Sequence, residues 1–156
     1  TLAALPVRDE DVLLAKAAAA QTVLTLYLAA SLVYPLALAL AGRPDFGAMA
    51  GAYLGLWLLG LALTAAGAWA STLTRSQTSA FIAAFAVSFV LFMLGKVQPL
   101  LPPAFGEAAL ALGLDSHLEA FSRGVVTPGD ALYFLSVAAW FLHLAWLRVA
   151  ARRALG

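Results

Sequence analysis

Few side chains in this sequence are equipped for chemistry, and their spacing argues against catalysis. Its two histidines, His117 and His143, stand 26 positions apart. His117 lies two residues from Glu119, and neighbours two apart on a helix do not face each other. No H-E-x-x-H and no serine nucleophile motif accompanies them. His117 is therefore expected to be a structural cap or part of a gate. His143 sits in a long apolar run, five residues before Arg148. An ionisable group within a membrane span is a functional candidate by default. Near the end of a span, however, a neutral imidazole bonded to a neighbouring helix is the plainer expectation. Zero cysteines remove disulfides, thiol catalysis and thiolate metal sites together. Gly55 and Gly60 have the glycine spacing of a phosphate-binding loop, but Leu61 stands where lysine is required. If ATP drives this protein, another polypeptide binds it.

What must position these residues is set by composition. Of 156 residues, 63% are hydrophobic, against roughly 45–50% in a soluble domain. Only 11% are charged, against roughly 25%. The mean hydropathy of +0.93 agrees. A water-soluble monomer of this size has no interior large enough to hide so much apolar surface, so the solvent is a lipid bilayer. Nine Lys and Arg against eight Asp and Glu leave +1, which excludes the broad basic field that nucleic acid needs.

Charge-free intervals define the organisation. Spans are expected over 17–42, 47–74, 76–95 and 131–148, each within reach of the roughly 20 apolar residues that cross a bilayer. Lipid supplies no hydrogen bonds to the backbone, so these spans are helices. Their residues do not alternate as barrel strands do. The expected fold is an all-α bundle of four spans, with segment 96–130 as a broken-helix element and 149–156 as a tail. Four spans bring both ends to one side, with Arg8, Lys16, Arg75, Arg148, Arg152 and Arg153. Arg43, Lys96 and Arg123 lie on the other. Six against three predicts cytoplasmic ends.

Within this frame several local features stand out. Thr1–Lys16, with the run Arg8-Asp9-Glu10-Asp11, reads as a short amphipathic cytoplasmic helix leading into the first span. Pro35 is expected to kink that span, because proline removes one backbone hydrogen bond. Gly47, Gly51 and Gly55, four apart, let helices approach closely in lipid. Ala104–Gly113 reads as a short apolar helix. Ser116-His117-Leu118-Glu119 matches a capping box, and Gly124 suits the left-handed end of a helix. Glu119 and Arg123 are spaced to pair across one turn. Leu118 and Phe121 are expected to dip into the membrane interface, and Asp130 to cap the last span.

Three stretches resemble type 2 ABC transporter permeases. Leu5-Pro6-Val7-Arg8-Asp9-Glu10-Asp11-Val12-Leu13-Leu14-Ala15-Lys16 is similar to their cytoplasmic segment before the third helix. Ser71-Thr72-Leu73-Thr74-Arg75-Ser76-Gln77-Thr78 resembles the "S-S-L-T-R-N-Q" joint of the gliding-motility-type branch. His117-Leu118-Glu119-Ala120-Phe121-Ser122-Arg123-Gly124, followed by Asp130, Tyr133, Phe134 and Ser136, resembles that branch's "H-F-E-x-F-x-R-G" and "D-x-x-Y-F-x-S". Leu118 departs from the usual aromatic, Ser76 from asparagine and Ala15 from the glycine common before Lys16.

The resemblance implies a six-span, non-catalytic permease of the bacterial inner membrane, of which this chain carries spans three to six. It implies pairing with a second permease subunit, as a homodimer or heterodimer. It also implies an ABC ATPase partner that uses ATP and Mg, with no cofactor bound by this chain. Pro6, Arg8, Asp9, Glu10, Asp11, Lys16, Arg75 and Gln77 would then couple to the ATPase. His117, Glu119, Phe121, Arg123, Gly124, Asp130 and Tyr133 would form an outer gate of an exporter. Two rivals are an ion-coupled secondary transporter, which should carry acidic residues inside its spans, and an intramembrane enzyme. The charge-free intervals hold no acid. In this topology His117 and His143 lie on opposite sides of the bilayer.

Overall fold

A computed structural model describes residues 9–42, 44–74 and 76–155. These form α1 (Asp9–Ser31), α2 (Val33–Ala41), α3 (Phe46–Leu73), α4 (Gln77–Val97), a single 3₁₀ turn (Gln98–Leu100), α5 (Pro103–Leu112), α6 (Leu114–Ser122) and α7 (Pro128–Leu155). The described residues contain no strand. Four stretches are long and apolar enough to cross a membrane: Asp11–Leu40, Phe46–Leu73, Gln77–Leu100 and Pro128–Ala151. The fold is an all-α polytopic bundle.

α3 is the central element. It carries Gly51, Gly55, Leu58, Ala62, Ala65, Ala66, Ala68 and Ala70 in the interior, so small side chains bring its neighbours close. α7 packs along it through Phe134, Ala138, Phe141 and Ala145. By contrast, α4 has no fully buried residue. Phe81, Phe85 and Phe89 stack in a ladder on its exposed face, with ring centroids 6.5 and 5.9 Å apart. Apolar side chains turned outward along whole helices are what a lipid environment permits.

α1 runs unbroken from Asp9 through Lys16 to Ser31. The helix expected to lead into the first span is continuous with it from Asp9, where Asp9–Ala20 contains no glycine or proline to interrupt the turns. Pro6 and Arg8 of that segment, and Arg75 of the α3–α4 joint, lie outside the described residues. The rod breaks at Leu32. Pro35, having no N–H, leaves the Ser31 carbonyl without its helical donor. The Leu32 amide bonds Ala29 in a tightened turn, and α2 restarts at Val33. Beside the break lies an open apolar space of about 340 Å³ lined by Leu32, Pro35, Leu36, Phe46, Met49 and Tyr53.

A polar seam fixes α1 to α3. Gln21 Nε2 donates to the Trp57 carbonyl at 3.0 Å, and Trp57 Nε1 donates to Thr25 Oγ1 at 2.9 Å. Thr25 Oγ1 in turn donates to the Gln21 carbonyl at 2.8 Å, and Ser31 and Tyr53 hydroxyls meet at 3.0 Å. Leu24, between Gln21 and Thr25 on α1, sits directly on Gly60, where an added Cβ would clash with the Leu24 Cδ2.

Candidate functional site, a wedge of short helices

The short helices α5 and α6 are held among the spans. Leu114 and Phe121 of α6 are completely buried, in one cluster with Leu58 and Ala62 of α3 and Phe134 of α7. Phe121 therefore packs against protein and not, as expected, in the membrane interface. The landing is on Gly51 and Gly55. A Cβ on Gly51 would lie 2.8 Å from the Phe121 carbonyl oxygen, and one on Gly55 would lie 2.6 Å from Phe121 Cβ. Gly55 is about 14 Å along α3 from Phe46, so α6 lies beside the spans rather than above them. The third member of the register, Gly47, meets only Asp45, whose carboxylate accepts from the Gly47 and Ala48 amides and caps α3.

Gly124 ends α6 with φ +78°. The Gly124 amide bonds the Phe121 carbonyl and the Val125 amide bonds the Ala120 carbonyl, both at 3.0 Å, which is a Schellman ending. The same residue touches α3: a Cβ on Gly124 would lie 2.8 Å from Ala48 Cα. Glycine is thus required both for the left-handed turn and for the close approach.

A second pair of glycines joins α4 to the α5–α6 corner. A Cβ on Gly113 would lie 2.7 Å from the Gly95 backbone nitrogen. Lys96 Nζ and Asp115 Oδ2 form an ion pair at 2.8 Å beside it. Sequence reasoning missed Gly95 and Gly113, which stand eighteen apart and share no helix face.

The capping box expected at Ser116 and Glu119 is not formed. α6 starts one turn earlier, at Leu114 behind Gly113. Ser116 Oγ instead lies 2.6 and 2.7 Å from the carbonyls of Leu110 and Gly113, sharing its proton between the last turn of α5 and the N-cap residue of α6. Glu119 pairs with Arg123 across one exposed turn, as spaced.

His117 is the junction of α5, α6 and α7. Its Nδ1 lies 2.6 Å from Asp130 Oδ1, and its Nε2 lies 3.2 Å from the Ala111 carbonyl oxygen. Its ring stacks on Tyr133 with centroids 3.8 Å apart, and the Tyr133 hydroxyl donates to the Leu112 carbonyl at 2.5 Å. Asp130, in the first turn of α7, which begins at Pro128, is therefore turned toward His117 and also bonds Thr127, just ahead of the helix. A groove of about 460 Å³, lined by Leu91, Leu112, Tyr133, Val137, Trp140 and Phe141, runs alongside.

The remaining sequence candidates stand elsewhere. Asp9, Glu10 and Asp11 form the first turn of α1, and Asp11, Lys16 and Gln77 are exposed on the opposite side of the bundle from α6. His143 is exposed on α7 and stacks on Trp146 at 5.8 Å. The described residues hold no cluster of His, Asp and Glu spaced for a metal ion.

The bundle defines a multi-pass membrane protein with a short-helix wedge between its spans. Its sequence from residue 1 to 144 matches the family model described as ABC-2 family transporter protein. The chain belongs to this family and is the permease component of an ABC transporter, a membrane transport part whose usual partner is an ATPase subunit. No curated protein and no solved structure matches it.

Proposed function

We propose that this chain is the membrane half of an ATP-driven exporter of the bacterial inner membrane, with no catalytic centre of its own. Hydrolysis takes place on a separate ABC ATPase holding ATP and Mg, and two permease subunits, alike or different, form the path. Both ends of the segment face the cytoplasm, by the excess of Lys and Arg there. Residues Pro6 to Lys16, with Arg75 and Gln77, receive the ATPase, and the wedge around His117 to Gly124, with Asp130 and Tyr133, is the outer gate. Its motifs are similar to those of the gliding-motility-type branch.

One observation carries this reading: an unbroken mechanical route from the acidic start of α1 to the wedge. α1 is a single rod from Asp9 to Ser31. Its polar seam and the Leu24–Gly60 contact grip α3. α3 carries α6 on Gly51 and Gly55. A push on the first turn of α1 therefore reaches α3 through side-chain contacts and α6 through the close approach at Gly51 and Gly55, while the break at Leu32 lets α2 stay behind. Nucleotide shifts the gate only by the difference in its affinity for the two states.

The test is co-expression with a candidate ABC ATPase, purification through a tag on this chain, and hydrolysis assays in nanodiscs. Retention of the ATPase, and hydrolysis that changes when the permease is present, are the expected results. Loss of the ATPase at the first wash, with transport driven by an ion gradient instead, would favour a secondary transporter.

A further inference from the structure

We propose that His117 and Asp130 form a proton-operated latch that holds α5 and α6 onto α7. Both ring nitrogens of His117 face acceptors, Asp130 Oδ1 at 2.6 Å and the Ala111 carbonyl at 3.2 Å. A neutral imidazole has one N–H and satisfies only one of them. Both bonds form together only when the pair holds one extra proton, on the ring or on the carboxyl. When that proton leaves, a ring lone pair confronts either a carboxylate or a carbonyl oxygen, and one tie opens.

The surroundings give this proton a structural consequence. Ala111 and Leu112 close the last turn of α5, whose carbonyls have no helical donors. His117 and Tyr133 take one each. Losing the His117 bond leaves α5 tied to α7 by the Tyr133 hydroxyl. The other charged groups nearby are already engaged: on α6 Asp115 is held by Lys96 of α4, and Glu119 by Arg123. From α7 only Asp130 and Tyr133 reach the ring, and α5 presents backbone carbonyls. The latch therefore reads acidity on the wedge side of the membrane. Its meaning for transport rests on the gate reading, but the latch is a statement about helix positions and is tested as one.

The chain has no cysteine, so spin labels at Glu107→Cys on α5 and Leu132→Cys on α7, both exposed, are the only two. Distances are measured by pulsed electron resonance on the intact protein in nanodiscs between about pH 5 and 8. A narrow distribution at the acidic end that broadens at the basic end is expected. In Asp130→Asn the amide donates to the ring while Nε2–H stays on Ala111, so the narrow distribution should persist across the range. In His117→Gln the response should vanish. A wild-type protein without pH response, or an Asp130→Asn protein that keeps the wild-type response, overturns the latch whatever the transport assays show.

Discussion

Gly51 of α3 and Gly124 beyond α6 meet backbone to backbone: a Cβ on Gly51 would stand 3.1 Å from the Gly124 Cα. In hydrocarbon there is no hydrophobic gain from pressing two helices together, so close packing and backbone contact carry the association. The contact sets the depth of the wedge.

Gly51→Ala should therefore destabilise the bundle by about 1–3 kcal/mol, the usual cost of overpacking. Gly124→Ala should cost more, since it adds a left-handed residue, about 1–2 kcal/mol, to a clash with Ala48. Gly67→Ala, where nothing lies within 4 Å, should be nearly neutral. Thermal unfolding in one detergent at one scan rate ranks the three, and equal losses would remove the contact as the cause.

At Gly60 the added Cβ meets a side-chain tip, Leu24 Cδ2, rather than backbone. Gly60→Ala should be destabilising alone and partly rescued by Leu24→Ala, with a coupling of about 0.5–3 kcal/mol. Additive effects would mean that Leu24 does not hold α1 to α3.

Gln21 is 8% exposed, and its Oε1 has no hydrogen-bond partner although Nε2 is bonded to Trp57. Gln21→Leu removes one bond and one orphaned acceptor, so its net effect should stay within about 1 kcal/mol of zero. Gln21→Ala leaves a hole as well and should be the worse of the two in the same unfolding assay.

Tyr133→Phe keeps the stack on His117 and loses the bond to the Leu112 carbonyl. A loss of about 0.5–1.5 kcal/mol is expected, with faster hydrogen exchange confined to the end of α5. Uniform exchange across the bundle would place the effect elsewhere.

The spans and the small-residue register of α3 were legible because lipid permits few backbone solutions and charge-free length measures them directly. Gly124 was legible from its place after a short helix. What Gly51 and Gly55 touch was not, since periodicity gives a face but not its partner. The Ser116 capping box does not form because α6 begins at Leu114 and the Ser116 hydroxyl turns back to the carbonyls of Leu110 and Gly113. His117 and Asp130 are thirteen residues apart, across a turn whose path the sequence does not set. The Gln21–Thr25–Trp57 seam carries a readable signal, two polar residues four apart in an apolar run.

Reversing Asp9, Glu10 and Asp11 to lysine should leave the ATPase active but uncoupled from transport, because the first turn of α1 would lose its charge match. Transport per ATP hydrolysed, measured in proteoliposomes, should fall severalfold, and unchanged stoichiometry would remove these residues from the coupling surface.

If the wedge is the gate, it moves with the ATPase. Labels at Val97→Cys on α4 and Ser122→Cys on α6, both exposed, report it in the ATPase complex. The α4–α6 distance distribution should shift when ATP is bound with hydrolysis blocked and return when nucleotide is removed. Identical distributions in the two states, with the ATPase still attached, would contradict it.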